Sequence, residues 1–153
     1  EFLATLTGED VKKLLTYINS KVRNIPNEEN DVYNGYMVVG ALISPKNDIQ
    51  NRCFEKIAES LKNIKGNRNR ATLLHYLVNE LHLFTDGNGR TGRLLLNYEL
   101  LKNDLPPVVI SKDERVKYFE FIRKNDSSGL AEWFKELSNA EEQRMQKFGY
   151  EKI

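Results

Sequence analysis

The chain has 153 residues, of which 40% are hydrophobic and 29% charged, with a formal net charge of +1. That is the size and balance of one ordinary domain with a real core, and it carries no charge excess that would draw it to nucleic acid or an anionic membrane. Any anion it binds must therefore be met by a local site.

The single cysteine, Cys53, rules out an internal disulfide. It points to a reducing, cytoplasmic setting, in the producing cell or in one the protein is delivered to. Cys53 itself lies in a helical pattern and reads as a small buried apolar residue. No apolar run approaches the roughly 18 residues of a membrane span. The opening EFLATLTGED has neither an initiator methionine nor the apolar stretch of a signal peptide, so it reads as a processed or excised piece.

Helical spacing dominates the pattern. Thr7 caps a first helix with Val11, Leu14, Leu15 and Ile18 on one face, and Pro26 ends its exit. A polar stretch, NEENDVYNGY, leads into MVVGALI (37–43), a short β-prone run with a central glycine, read as a small hairpin or flap. Ser44-Pro45 then caps a helix carrying Ile49, Cys53, Ile57, Leu61 and Ile64. KGNRNR is read as a basic loop before a helix with Ala71, Leu74, Leu77, Val78 and Leu81. After a glycine-rich turn, LLLNYELLKN is apolar on nearly every side and suggests a central helix.

Residues 103–110, with Pro106 and Pro107, form a connector. Ser111 and Glu114 have capping-box spacing ahead of a helix with Val116, Phe119 and Ile122. Asp126-Ser-Ser-Gly breaks that helix, and a last one runs from about Leu130 towards Phe148. No repeat or second domain is visible. The expected fold is mainly α, a single domain over 1–153 with one small β-hairpin flap.

The chemistry concentrates in HLFTDGNGRTGR, residues 82–93. Gly87 to Gly92 fits GxGxxG, but the dinucleotide-binding form needs a preceding strand and an acid about 20 residues on. Here the preceding segment is helical and residue 107 lies in Leu-Pro-Pro-Val-Val. A GxxxxGK(S/T) phosphate loop lacks its lysine, and the kinase glycine loop sits between strands. What remains is helix, turn, helix, broken near His82 and resumed near Asn88.

A helix start offers free N–H groups and partial positive charge to a phosphate. Gly87 and Gly89 let the backbone approach closely. Arg90 and Arg93 can reach one polyphosphate, and Asp86 is a hard oxygen ligand suited to magnesium. His82 stands beside that site, and its neutral imidazole can take a proton from an attacking hydroxyl. Leu81 and Phe84 would anchor it. His75, one face up the same helix, has no acid or glycine turn beside it and is read as structural.

These twelve residues closely resemble the signature HPFx(D/E)GNGRxxR of the Fic ("filamentation induced by cAMP") domain. RATLLHYLVNELH before it, RLLLN and LPPVVI after it, and MVVGALISPKNDI upstream extend the likeness over about 30–125, leaving 126–153 as a C-terminal helical segment. The resemblance implies a Fic-type helical domain and a protein adenylyltransferase, moving AMP from ATP to a Tyr, Thr or Ser hydroxyl of a protein target.

By that resemblance His82 is the base, Asp86 holds magnesium, and Gly87, Asn88 and Gly89 form the anion hole. Arg90, Thr91, Gly92 and Arg93 complete the nucleotide-binding motif, Phe84 anchors the loop, and Val39, Gly40, Ala41 and Leu42 form a flap over nucleotide and target. Tyr118 and Asn125 match positions near the base, with core packing or a polar helix end as the alternative for each.

Leu83 stands where the family usually has proline. The family's inhibitory spacing (S/T)xxxE(G/N) is met up to its last position by Ser138 to Glu142 and by Ser128 to Glu132, a match that a Glu-rich helix produces by chance. The expected partners are a protein target and an antitoxin or other inhibitory partner, with no nucleic acid and no membrane. The alternatives are a restrained or non-catalytic nucleotide-binding module, and a transferase of UMP, GMP or phosphate.

Overall fold

A computed structural model describes residues 2–30, 38–39, 42–43 and 47–149. Six α-helices run through the described residues: α1 (Gly8–Arg23), α2 (Asn47–Asn63), α3 (Asn67–Leu81), α4 (Asn88–Lys102), α5 (Arg115–Arg123) and α6 (Ser127–Lys147). Two dipeptide strands, β1 (Val38–Val39) and β2 (Leu42–Ile43), pair antiparallel, with Val38 opposite Ile43 and Val39 opposite Leu42. Gly40, Ala41 and the expected cap Ser44-Pro45 lie outside the described residues, and a flap closing over the site is not seen among those described.

Local chemistry sets the helix ends. Thr7 and Asp10 exchange hydrogen bonds in a complete capping box, and Asn24 closes α1 in the left-handed conformation at φ 55°. Val11 and Leu15 are fully buried, and Leu14 and Ile18 pack beside them. The expected basic loop before α3 is largely helix: α3 begins at Asn67, where Arg70 donates to Leu61 O at 2.9 Å and to Asn67 Oδ1 at 3.2 Å, tying its first turn to α2. α6 likewise starts at Ser127, three residues earlier than expected, because Asp126 is a cap as well as a break; its carboxylate accepts from Gly129 N at 2.8 Å. Before α5, the Glu114 carboxylate accepts from Ser111 N at 2.9 Å and regular helix starts at Arg115.

The core comprises two clusters that meet at Leu77. Leu15, Phe54, Leu61, Leu74, Leu83 and Phe84 belong to the first; Tyr76, Leu96, Leu100, Tyr118, Leu130 and Phe134 belong to the second. Both α3 and α4 feed the two clusters, but α3 packs on more of the fold, against α2, α4, α5 and α6. This corrects the expectation for α4: Leu94, Tyr98 and Leu101 are 50, 56 and 55% exposed, so α4 has an open face and α3 is the central helix. Asn97 fastens the proline connector to α4 by two bonds with Val108, at 3.0 and 2.8 Å.

Candidate active site

α3 ends on His82, which adopts the left-handed conformation at φ 49° and ψ 57°. This unusual turn throws the next two residues inward, and Leu83 and Phe84 are both fully buried. Leu83 thereby serves as a second apolar anchor beside Phe84. Asn88, itself 4% exposed, clamps Phe84 with both ends of its amide: Oδ1 accepts from Phe84 N at 3.0 Å and Nδ2 donates to Phe84 O at 2.7 Å. The Asn88 side chain is thus committed to the loop, and what it offers an anion is its backbone N–H at the start of α4.

Between these anchors Thr85 and Asp86 are exposed, and Gly87 starts α4 at φ 79°. The Asp86 carboxyl is held below the ordinary carboxylate value by a Gly87 backbone hydrogen bond and by Arg90 and Arg23 nearby, so it is ionised at neutral pH. Arg90 donates to it at 2.9 Å across the surface. The Arg93 guanidinium folds back toward the same turn, 3.1 Å from where a Cβ on Gly89 would stand. Arg23 and Arg90 thus lie by the Asp86 carboxylate, and Arg93 lies by the helix N-terminus, in a chain of nearly balanced charge, a local excess suited to polyphosphate.

The His82 imidazole is pushed below its ordinary value by partial burial, against a ring hydrogen bond to the Asn79 backbone. It is neutral at physiological pH, the form that accepts a proton. No cluster of three or more His, Cys, Asp or Glu exists among the described residues. A lone carboxylate of this kind fits magnesium, which keeps several waters and takes its remaining ligands from substrate phosphates.

The remaining sequence-predicted positions divide. Thr91 is fully buried and turned toward α1, where its hydroxyl meets Asn19. Gly92 packs against His75, since a Cβ there would lie 3.0 Å from Nδ1. Both shape the helix start from behind and present no side chain to an anion. Tyr118 is 3% exposed, with its hydroxyl 2.9 Å from His75 Nε2, so it packs in the core beside His75. Asn125 is exposed at φ 53° between α5 and α6 and accepts from the Tyr76 hydroxyl at 3.1 Å. His75 is structural, as expected; burial drives its pKa down to about 4.

The two inhibitory spacings lie elsewhere. Ser138 donates to Pro106 O and meets Arg68, while Glu132 shares a surface cavity with residues 66–69. Both anchors sit at the start of α3, and at 1.5 Å per residue that is about 20 Å from His82.

Sequence reading missed the residues behind the turn. Asn19 donates to Asp86 O at 2.9 Å and to Thr91 Oγ1 at 3.1 Å, and Asn30 donates to Asn19 Oδ1 at 3.1 Å. These partners are 67, 72 and 11 residues apart, and no local pattern links them. The one available signal was an asparagine inside the apolar stripe of α1.

Comparison with known proteins follows the same residues. A model of the Fic/DOC family matches residues 6–100, more than half of the chain. The proteins named "Protein adenylyltransferase Fic" of Drosophila virilis and Drosophila melanogaster are each 36% identical over 77 residues, 50% of this chain but 16% of theirs. The chain therefore spans a small part of those relatives. Among solved structures, Fic-1 from C. elegans superposes with a TM-score of 0.62 at 21% identity, covering 95% of this chain and 43% of that one; the likeness is one of fold. No helix among the described residues is long and apolar enough to cross a membrane.

Proposed function

The chain belongs to the Fic/DOC family, and we propose from that premise that its 153 residues form one catalytic domain that transfers AMP from ATP to a hydroxyl of a protein target. The observation that carries the proposal is the turn itself: a neutral imidazole at the end of α3 and an anion-binding helix start at Asn88, joined by five residues that include an ionised Asp86.

In this reading the backbone N–H groups at Gly87, Asn88 and Gly89 hold the phosphates, and Arg90 and Arg93 neutralise the charge that develops on the leaving group. Asp86 would hold magnesium, which when bound supplies charge to phosphate oxygens. A Tyr, Thr or Ser hydroxyl of the target attacks the α-phosphorus. The bond from that phosphorus to the bridging oxygen breaks, pyrophosphate departs, and the hydroxyl proton passes to His82. Catalysis is then positioning and charge stabilisation, with little covalent work for the protein. Val39, Gly40, Ala41 and Leu42 would lie over the nucleotide and align the target by strand pairing. Tyr118, and Asn125, which is open to solvent, would be the base contacts.

The test is labelling with α-labelled ATP and magnesium, using the chain alone and in a lysate. Label should appear on the protein or a target, and His82→Ala should abolish it while leaving nucleotide binding largely intact. Labelling should also fall on the acid side, with a midpoint below the ordinary histidine value of 6.5. Equal labelling by the alanine variant would remove His82 from the reaction, and label transferred only from γ-labelled ATP would make the reaction phosphorylation.

A further inference from the structure

Asn19 occupies a position where an apolar residue would be expected. It follows Val11 and Leu15 at helical spacing on the buried face of α1, and like them it has no exposed surface. A buried amide is costly unless every group on it is paired. Here every group is paired, and both donated bonds go to the phosphate turn. Nδ2 gives one hydrogen to the Asp86 carbonyl, just before the glycine, and the other to the Thr91 hydroxyl, in the first turn of α4.

The acceptor end is keyed in turn. Asn30 Nδ2 donates to Asn19 Oδ1 at 3.1 Å and to Thr16 O at 2.9 Å, and Arg23 donates to Asn30 Oδ1 at 3.3 Å. This arrangement fixes which end of the Asn19 amide faces the turn, because only an N–H can serve the Asp86 carbonyl. The same face of α1 closes over the glycine: a Cβ on Gly87 would lie 3.0 Å from Asn19 Nδ2, 3.2 Å from Arg23 Cγ and 3.3 Å from Val22 Cγ1.

We infer that Asn19, keyed by Asn30, is a positioning residue that sets the Asp86–Thr91 turn, aiming the Asp86 carboxylate and the free N–H groups of α4 at one anion. The inference rests on the function proposed above for its consequence, and on geometry alone for the brace. Holding both flanks of a left-handed glycine turn restricts the backbone that cradles the ligand, so the ligand need not order it on binding.

The experiment uses the full chain with α,β-methylene ATP and magnesium, a nucleotide whose α–β bridge cannot be cleaved by transfer. Calorimetry should show Asn19→Ala, and the isosteric Asn19→Asp that turns the donor into an acceptor, binding roughly tenfold or more weakly, the scale on which partners behind ligating groups act. Asn30→Ala should weaken binding in the same direction and by less, and it serves where an Asn19 variant fails to fold. The control is Ile122→Ala, a core residue of α5 away from the turn, whose affinity should stay within about twofold of the parent's.

Hydrogen exchange of the ligand-free chain should show residues 86–91 losing protection in the Asn19 variants while α5 and α6 keep theirs. Asn19 variants that lose affinity no more than Ile122→Ala, with unchanged exchange at 86–91, would overturn the inference. If the parent chain binds no nucleotide, the proposed function fails and the exchange measurement alone decides the brace.

Discussion

Lowering the pH from 7 to 4 should cost this protein about 3 kcal/mol of stability through His75 alone. The ring is buried against Tyr118 and Phe134, with Nε2 at 2.9 Å from the Tyr118 hydroxyl, and its pKa falls from 6.5 to about 4 in the folded chain. The first cause is burial; the Arg93 charge adds to it, and a hydrogen bond from the ring to the Gly92 backbone opposes it. Above pH 6.5 neither folded nor unfolded chain protonates this ring, so its full contribution is present. Between 6.5 and 4 the unfolded chain takes up a proton that the folded chain refuses, and stability drains away.

Each pKa unit is worth about 1.4 kcal/mol, which gives the figure of about 3 kcal/mol by pH 4. Carboxylates and His82 titrate in the same range, so the assay is a difference. Urea unfolding is followed through Trp133, the single tryptophan and a core residue, for the parent and for His75→Gln from pH 7 to 4. The variant loses packing at every pH, but the parent should close the gap by about 3 kcal/mol as the pH falls. A gap that stays constant from 7 to 4 would refute the reasoning.

The other predictions concern the turn. Gly87→Ala should destabilise the chain by about 1–3 kcal/mol in urea unfolding, because φ is 79° and the new methyl would press on Asn19, Val22 and Arg23; parent-like stability would show that α1 yields easily. Arg90→Ala should leave the melting temperature unchanged, since its bond to Asp86 lies on the surface, while affinity for α,β-methylene ATP falls about tenfold; unchanged affinity would assign the arginine to the ion pair alone.

The turn was legible in the sequence because its information is local. Helix stop, buried Phe84, glycine start and paired arginines all fall within twelve consecutive residues, and each acts on the chain within one turn of itself. The cap Thr7 declares itself in the same way, by a side chain that bonds a backbone N–H three residues on, whereas the equally local cap at Asp126 was read only as a break. Burial is another matter. LLLNYELLKN looks like a central helix by composition, but Leu94, Tyr98 and Leu101 are open and α3 takes the centre. Tyr118 and its neighbour Phe119 look alike in sequence, yet one is 3% and the other 60% exposed.

By itself, then, the sequence determined the helical class, most helix ends and the candidate reacting residues, since periodicity and capping act over three or four positions. Only the tertiary structure decided which helix is central, that Tyr118 is buried, and that Asn19 and Asn30 stand behind the turn at residues 86–91. Those outcomes depend on contacts between segments tens of residues apart, and local spacing carries no record of which surfaces meet.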